Sequence, residues 1–162
     1  MKKIIIPICA LFMLGCGDDP LPKPKAFLRL DYPNPTYKSV DIPVPFSFDK
    51  NELAKSITKI KSSENGNSYS IDVEYPSLKG TVYLTYKKVT KDNLRDLLRD
   101  SQNLTQKHTQ KADEIQSNVF VNAEKQVYGM FYEVGGNAAS QSQFYATDSL
   151  NHFLSGSLYF YT

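Results

Sequence analysis

Cys16 is the side chain in this sequence with the best-defined chemistry, because its surroundings say what would react with it. It closes the run Lys2-Lys3-Ile4-Ile5-Ile6-Pro7-Ile8-Cys9-Ala10-Leu11-Phe12-Met13-Leu14-Gly15-Cys16. Two lysines, an apolar stretch, a small residue and a thiol make the layout of a bacterial secretory signal that ends at a lipid-attachment cysteine. The apolar stretch Ile4 to Leu14 is eleven residues long. A membrane-spanning helix needs about twenty, so this length fits a signal core. Leu14 is larger than the alanine or serine usual before the small residue. An incidental cysteine after a hydrophobic first strand is the competing reading, and the agreement of lysines, length and Gly15-Cys16 disfavours it. On this reading Cys16 carries a diacylglyceryl group and an N-acyl chain, and no other cofactor is expected.

The other reactive side chains form no comparable pattern. His108 and His152 are the two histidines, and no spacing brings a third ligand near either, so no metal site is expected. His108 reads as a residue of a helix C-terminal turn, where its charged form suits the dipole. Ser140 or Ser149 with His152 and Asp148 would spell a hydrolytic triad on paper. No Gly-x-Ser-x-Gly elbow accompanies them, and these residue types are common in turns. No catalytic residue is expected. The most distinctive loop is Glu133 to Ser140, with Gly135, Gly136, Asn137, Ala138, Ala139 and Ser140 as its candidate binding residues. Its glycines allow positive φ, and its small side chains let another backbone approach. It reads either as a binding loop, with His152 as a further candidate, or as a tight strand connection without a partner. It lacks the lysine and helix of a phosphate loop.

Three segments follow from this reading: a signal over 1–15, a lipidated cysteine with a tether over 16–26, and a single α+β domain over 27–162. Prolines 20, 22 and 24 favour extended geometry, so the ten tether residues reach on the order of 30 Å. Asp18-Asp19 reads as solvation or as part of an acidic sorting signal. Alternation of Leu28, Leu30, Tyr32 and then Val40, Ile42, Val44, Phe46, Phe48, with prolines on the opposite parity, predicts an edge strand or extended packing on the core. Leu53, Ile57 and Ile60 suggest a short helix within Asp49 to Ser62. Tyr69 to Tyr86 predicts a hairpin turning at Pro76 to Gly80.

Thr90 is the expected N-cap of a helix from Lys91 to about Lys111, with Leu94, Leu97, Leu98, Ser101, Leu104 and His108 on one face. Strands are expected at Val119 to Val121, Val127 to Val134, Gln143 to Thr147 and Phe153 to Tyr161. Strands, a helix and strands again predict α+β architecture, a largely antiparallel sheet with one long helix on a face. The last strand is apolar on both parities, which belongs mid-sheet with both faces covered. Either the chain is truncated at its C-terminus, or a partner covers that face.

Loss of Lys2 and Lys3 with the signal leaves basic and acidic side chains equal at seventeen each. That balance offers no electrostatic case for nucleic acid. Cys9 leaves as well and Cys16 is acylated, so no disulfide is expected. The 11 tyrosines and 9 phenylalanines fall mostly on strand parities that a core would claim, ahead of an interaction face.

Cys16 with its proline-rich tether and Pro24-Lys25-Ala26-Phe27-Leu28-Arg29-Leu30-Asp31-Tyr32-Pro33 resembles the opening of the gliding-motility lipoprotein GldD family of Bacteroidota. Tyr128-Gly129, Gly136-Asn137-Ala138-Ala139-Ser140, Gln143-Phe144-Tyr145, Thr147-Asp148-Ser149 and His152-Phe153-Leu154 resemble it in order and spacing. The resemblance covers essentially the whole chain after the signal. It implies a non-catalytic lipoprotein required for gliding beside the type IX secretion machinery, whose proteins would be its partners along with the membrane. It also implies a place in the cell envelope, on the outer membrane or the periplasmic face of the inner one. Members continue past this end into what resembles a closing helix. The element order is also similar to PsbP/Mog1-like folds, by analogy of fold alone. A glycan- or peptide-binding envelope module is the alternative function.

Overall fold

The computed structural model describes residues 31, 33–107 and 111–161. Cys16, the tether, the Leu28 to Tyr32 alternation and His108 lie outside or at the margin of these residues. Contacts divide the chain into Met1–Asn34 and Pro35–Thr162, and everything below concerns the second unit.

Nine strands and one α-helix are described: β1 (Tyr37–Ser39), β2 (Asp49–Asn51), β3 (Ser56–Ser62), β4 (Ser68–Tyr75), β5 (Gly80–Lys88), α1 (Leu94–Gln106), β6 (Ala112–Asn122), β7 (Val127–Gly136), β8 (Ser142–Thr147) and β9 (His152–Phe160). Seven form an antiparallel sheet in the order β3-β4-β5-β9-β8-β7-β6, and β1-β2 form a separate pair. This is the α+β class expected from the sequence, a sheet with one helix against a face.

The alternation of β4 and β5 decides how that sheet is buried. Ile71 and Val73 pair with Leu84 and Val82, so their side chains share one face, here the front. Ile71, Val73, Leu84 and Ala54 form its buried centre, and a fully buried aliphatic side chain contributes about 1.5–3 kcal/mol. The segment between β1 and β2 lays Ile42, Val44, Phe46 and Phe48 over this centre. Residues 41–48 alternate exposed and half-buried without strand pairing, so the extended-packing alternative holds there. Phe46 stacks on Tyr86 with ring centroids 5.4 Å apart.

On the back face α1 crosses β8 and β9. Leu97, Val89 and Phe153 are buried together, with Leu94, Leu98 and Tyr145 packed against them. The helix is shorter than its periodicity suggests. Thr90 is not its N-cap: Asn93 takes that place, accepting from the Thr90 N–H at 2.8 Å and donating to Lys88 O at 3.0 Å. Thr105 is buried while Leu104 is 41% exposed, because Thr105 hydrogen-bonds to the sheet. Asp96 pairs with Arg99 at 2.9 Å on the wet side.

The helix expected within Asp49 to Ser62 is absent, and strands β2 and β3 stand there. Val73 faces Ile57 and Ile71 faces Ile60, with a bulge between Ile57 and Lys59. One inserted residue turns a spacing of three into same-face neighbours. β9 does lie mid-sheet, between β5 and β8. Leu154 joins the front core and Phe153 lies under α1, so its double apolar character is met within the described residues along this part of the strand.

Candidate functional site

Among the described residues, the covering segment 40–54 and α1 leave the front of β6, β7 and the start of β8 uncovered. Register places Gln116 opposite Glu133 and Glu133 opposite Ser142, while Glu114 faces Gly135. With Phe131 two residues before Glu133, these side chains rise from one face. They line a depression of about 350 Å³, within the range of small-ligand clefts. Gln116 Nε2 donates to Glu114 Oε1 at 2.9 Å, which ties one carboxylate to the amide, and Phe131 is half-buried in the same lining. The arrangement offers an aromatic surface, two carboxylates and an amide. Such a surface can stack on a sugar ring while accepting hydroxyl protons, or hold a cationic side chain.

Of the six loop residues Gly135 to Ser140, one reaches this place and the others do not. Gly135 lines the depression. Gly136 adopts φ +91°, and a Cβ there would overlap the Asp113 backbone and carboxylate. Asp113 is the extra residue of a bulge between Ala112 and Glu114, so the close approach that this glycine permits is to the chain's own β6. Val134 N–H donates to Gln141 O at 2.9 Å and closes the loop. Ala138 and Ser140 point inward and are buried. Ser140 Oγ lies 2.9 Å from Leu158 O and 3.2 Å from Ser142 O, its proton shared between them. Asn137 and Ala139 are exposed.

His152 stands at the other end of the sheet. It begins β9 opposite Lys88, whereas the loop leads into Ser142 opposite Leu158. Six residues of strand separate the two, about 20 Å, so the structure does not bring His152 and the Gly135 to Ser140 loop together. His152 Nδ1 lies 2.8 Å from Tyr86 OH. Burial pushes the Tyr86 phenol up, with the Asp148 charge adding to it, so the phenol keeps its proton, and one hydrogen bond ties it to the ring nitrogen.

Asp148, placed beside His152 in sequence, is engaged by backbone. Its Oδ1 accepts from the N–H groups of Leu150, Asn151 and His152 at 3.0, 2.8 and 2.8 Å. Burial would raise this carboxyl, but the three N–H groups outweigh it and hold the group below the ordinary aspartate value. Ser149, at φ +64°, donates its own N–H to Thr147 Oγ1. These contacts shape a turn.

The residues that sequence reasoning missed are Glu114, Gln116 and Phe131. A signal existed: in β6 polar Glu114, Gln116 and Asn118 share one parity and apolar Ile115, Val119 and Val121 the other. What sequence could not supply was the register that sets that polar row beside Phe131. Among the described residues no group of three His, Cys, Asp or Glu side chains could hold a metal ion, and no helix is long and apolar enough to cross a membrane.

Comparison with known families finds one match over nearly all of the chain. The family model described as gliding motility lipoprotein GldD matches residues 17–162. No curated protein and no solved structure matches.

Proposed function

The chain belongs to the gliding motility lipoprotein GldD family, and from that premise we propose that it is a lipid-anchored component or accessory of the gliding and type IX secretion machinery, acting through protein contacts without catalysis. The observation that carries the reading is the extent of the family match, which begins at residue 17, directly after the expected acylation site. Cys16 carries the diacylglyceryl and N-acyl chains. Several chains hold a protein at a bilayer where one would bind it only reversibly. The protein sits in the cell envelope, on the outer membrane, with the periplasmic face of the inner membrane as the other placement. Residues 17–26 then space a single folded domain from the lipid.

A clean deletion tests the role: the strain should lose surface spreading and export of adhesins. Normal spreading refutes it. Cys16→Ser tests the anchor, since the variant should leave the membrane fraction on carbonate washing.

One observation favours a second reading, an envelope glycan- or peptide-binding module. The depression at Phe131 combines an aromatic ring with Glu114, Gln116 and Glu133. Saturable glycan binding that Phe131→Ala removes, in a strain whose spreading does not depend on this protein, would select it.

A further inference from the structure

The two margins of the main sheet are built differently. β3 is seven residues long and carries a bulge and an exposed lysine, Lys61. Short length, bulges and lysines are the devices that keep an edge strand from pairing with another chain. β6 is eleven residues long, Ala112–Asn122, with neither lysine nor proline. Its bulge lies at the very start, between Ala112 and Glu114, and the register from Ile115 to Asn122 is unbroken. Along that stretch Val119 and Val121 are 69% and 62% exposed. Tyr128, opposite Val121, and Phe120 on the other face extend the apolar surface around the edge.

Charge is as unevenly divided as shape. Residues 112–160 hold five acidic side chains, Asp113, Glu114, Glu124, Glu133 and Asp148, against the single base Lys125. Residues 55–91 hold seven lysines against three acids. Glu114 lies near the start of the open edge and Glu124 just past its end. A second copy docking edge to edge would bring two acidic halves together.

We propose that the open edge of β6 is the docking site for an extended segment of another protein, one that alternates apolar with polar residues and carries lysine or arginine. The incoming strand pairs its backbone with Ile115 to Asn122, sets apolar side chains beside Val119 and Val121, and places a cation across from Glu114. Backbone pairing supplies affinity and the flanking pockets supply selectivity, while the acidic half steers the basic partner and discourages neutral or acidic ones. This rests on the reading of the protein as a contact-making component of gliding, and names its contact surface.

The test uses the full lipidated chain in detergent micelles and two synthetic peptides, Lys-Thr-Val-Thr-Val-Thr-Val-Lys and the same peptide with glutamate at both ends. The expected result is saturable binding of the lysine peptide, at least tenfold tighter than the glutamate peptide, with slowed hydrogen exchange confined to 112–122. Val119→Lys with Val121→Lys should weaken it at least tenfold. Leu150→Lys, a single added lysine at a residue 72% exposed in a turn, should leave it unchanged. In cells the double variant should stay in the membrane fraction and fail to spread.

Absence of binding by the lysine peptide, or binding that the double variant does not weaken, overturns the proposal. A concentration-dependent dimer that the double variant dissociates, without peptide binding, makes a second copy the occupant and overturns it too. A double variant that spreads like wild type, beside a deletion strain that does not, sinks the edge alone; a deletion strain that spreads sinks the gliding reading.

Discussion

Thr105 Oγ1 donates to Gln143 Oε1 across 2.8 Å, a buried hydrogen bond that joins the last turn of α1 to the middle of the sheet. Both side chains are at most 3% exposed. The Gln143 Nε2 atom is buried with no partner among the described residues, so the amide depends on this one bond. Thr105→Val keeps the shape and removes the donor. It should cost about 1–3 kcal/mol, the penalty of leaving a buried acceptor unpaired. Urea unfolding of Thr105→Val, and of Thr105→Val with Gln143→Met, checks this: the double variant should recover much of the loss, since both polar partners are gone.

Gly156 is fixed by a ring on the neighbouring strand. A Cβ there would overlap Phe144, directly opposite in the register, and press on Leu84 Cδ2 at 3.0 Å. Gly156→Ala should therefore destabilise by about 1–3 kcal/mol, as overpacking does. Gly135→Ala is the contrast: its nearest neighbour would be Glu114 O at 3.8 Å, and it should change stability by about 0.5 kcal/mol or less. Thermal unfolding of the two variants side by side separates packing from a general intolerance of glycine replacement.

Asp148 makes the acid limb of stability predictable in sign. Its folded value is depressed by backbone N–H groups, against the opposing effect of burial. A depressed carboxylate contributes stability that is present above the unfolded value of about 3.9 and is lost as pH falls through the folded one. Asp148→Asn keeps an acceptor in the turn and removes the titration. Its stability should fall less steeply than wild type between about pH 4 and pH 2, measured by denaturant unfolding at stepped pH.

Tyr83 titrates at the opposite end. Tyr161 OH donates to Thr81 Oγ1 at 2.7 Å, so Tyr83 supplies the proton in its own 2.8 Å contact with Tyr161. That hydrogen bond first, and then burial, push Tyr83 up to about 12. Ionising it breaks the contact, so its contribution holds below the unfolded value of about 10 and fades as pH rises toward the folded one. Tyr161→Phe should bring the Tyr83 phenolate transition down toward 10 in an ultraviolet titration.

Where parity was regular the fold could be read without coordinates. Tyr69, Ile71, Val73 and Tyr75 against Val82, Leu84 and Tyr86 declared a hairpin with one buried face, and the structure has it residue for residue. The helix was legible through Leu94, Leu97 and Leu98, but its start was not, because Asn93 closes a turn that Thr90 only enters. Ile57 and Ile60 were misread because a bulge mimics helical spacing. Much of β6 was missed because Asp113 to Asn118 is polar enough to pass for a loop, and it is a strand through its pairing with β7. The depression at Phe131 was hidden for the same reason, since contacts across strands depend on a register that no single strand encodes. The Gly136 loop was visible as a feature, yet its close neighbour proved to be Asp113 of the same chain.

The pairing of β5 with β9 joins residues that lie 64 to 80 positions apart, from Lys88–His152 to Gly80–Phe160. Every other contact between neighbouring strands of the main sheet is made by segments that follow one another. The hairpins on either side can thus assemble early and locally, whereas the seam between them is a late, slow event. Until β9 arrives, β5 and β9 are themselves open edges, and mispairing is the hazard of that interval. A chain that must be threaded across a membrane before it folds gains from this order: its central seam stays open until nearly all of it has reached the far side.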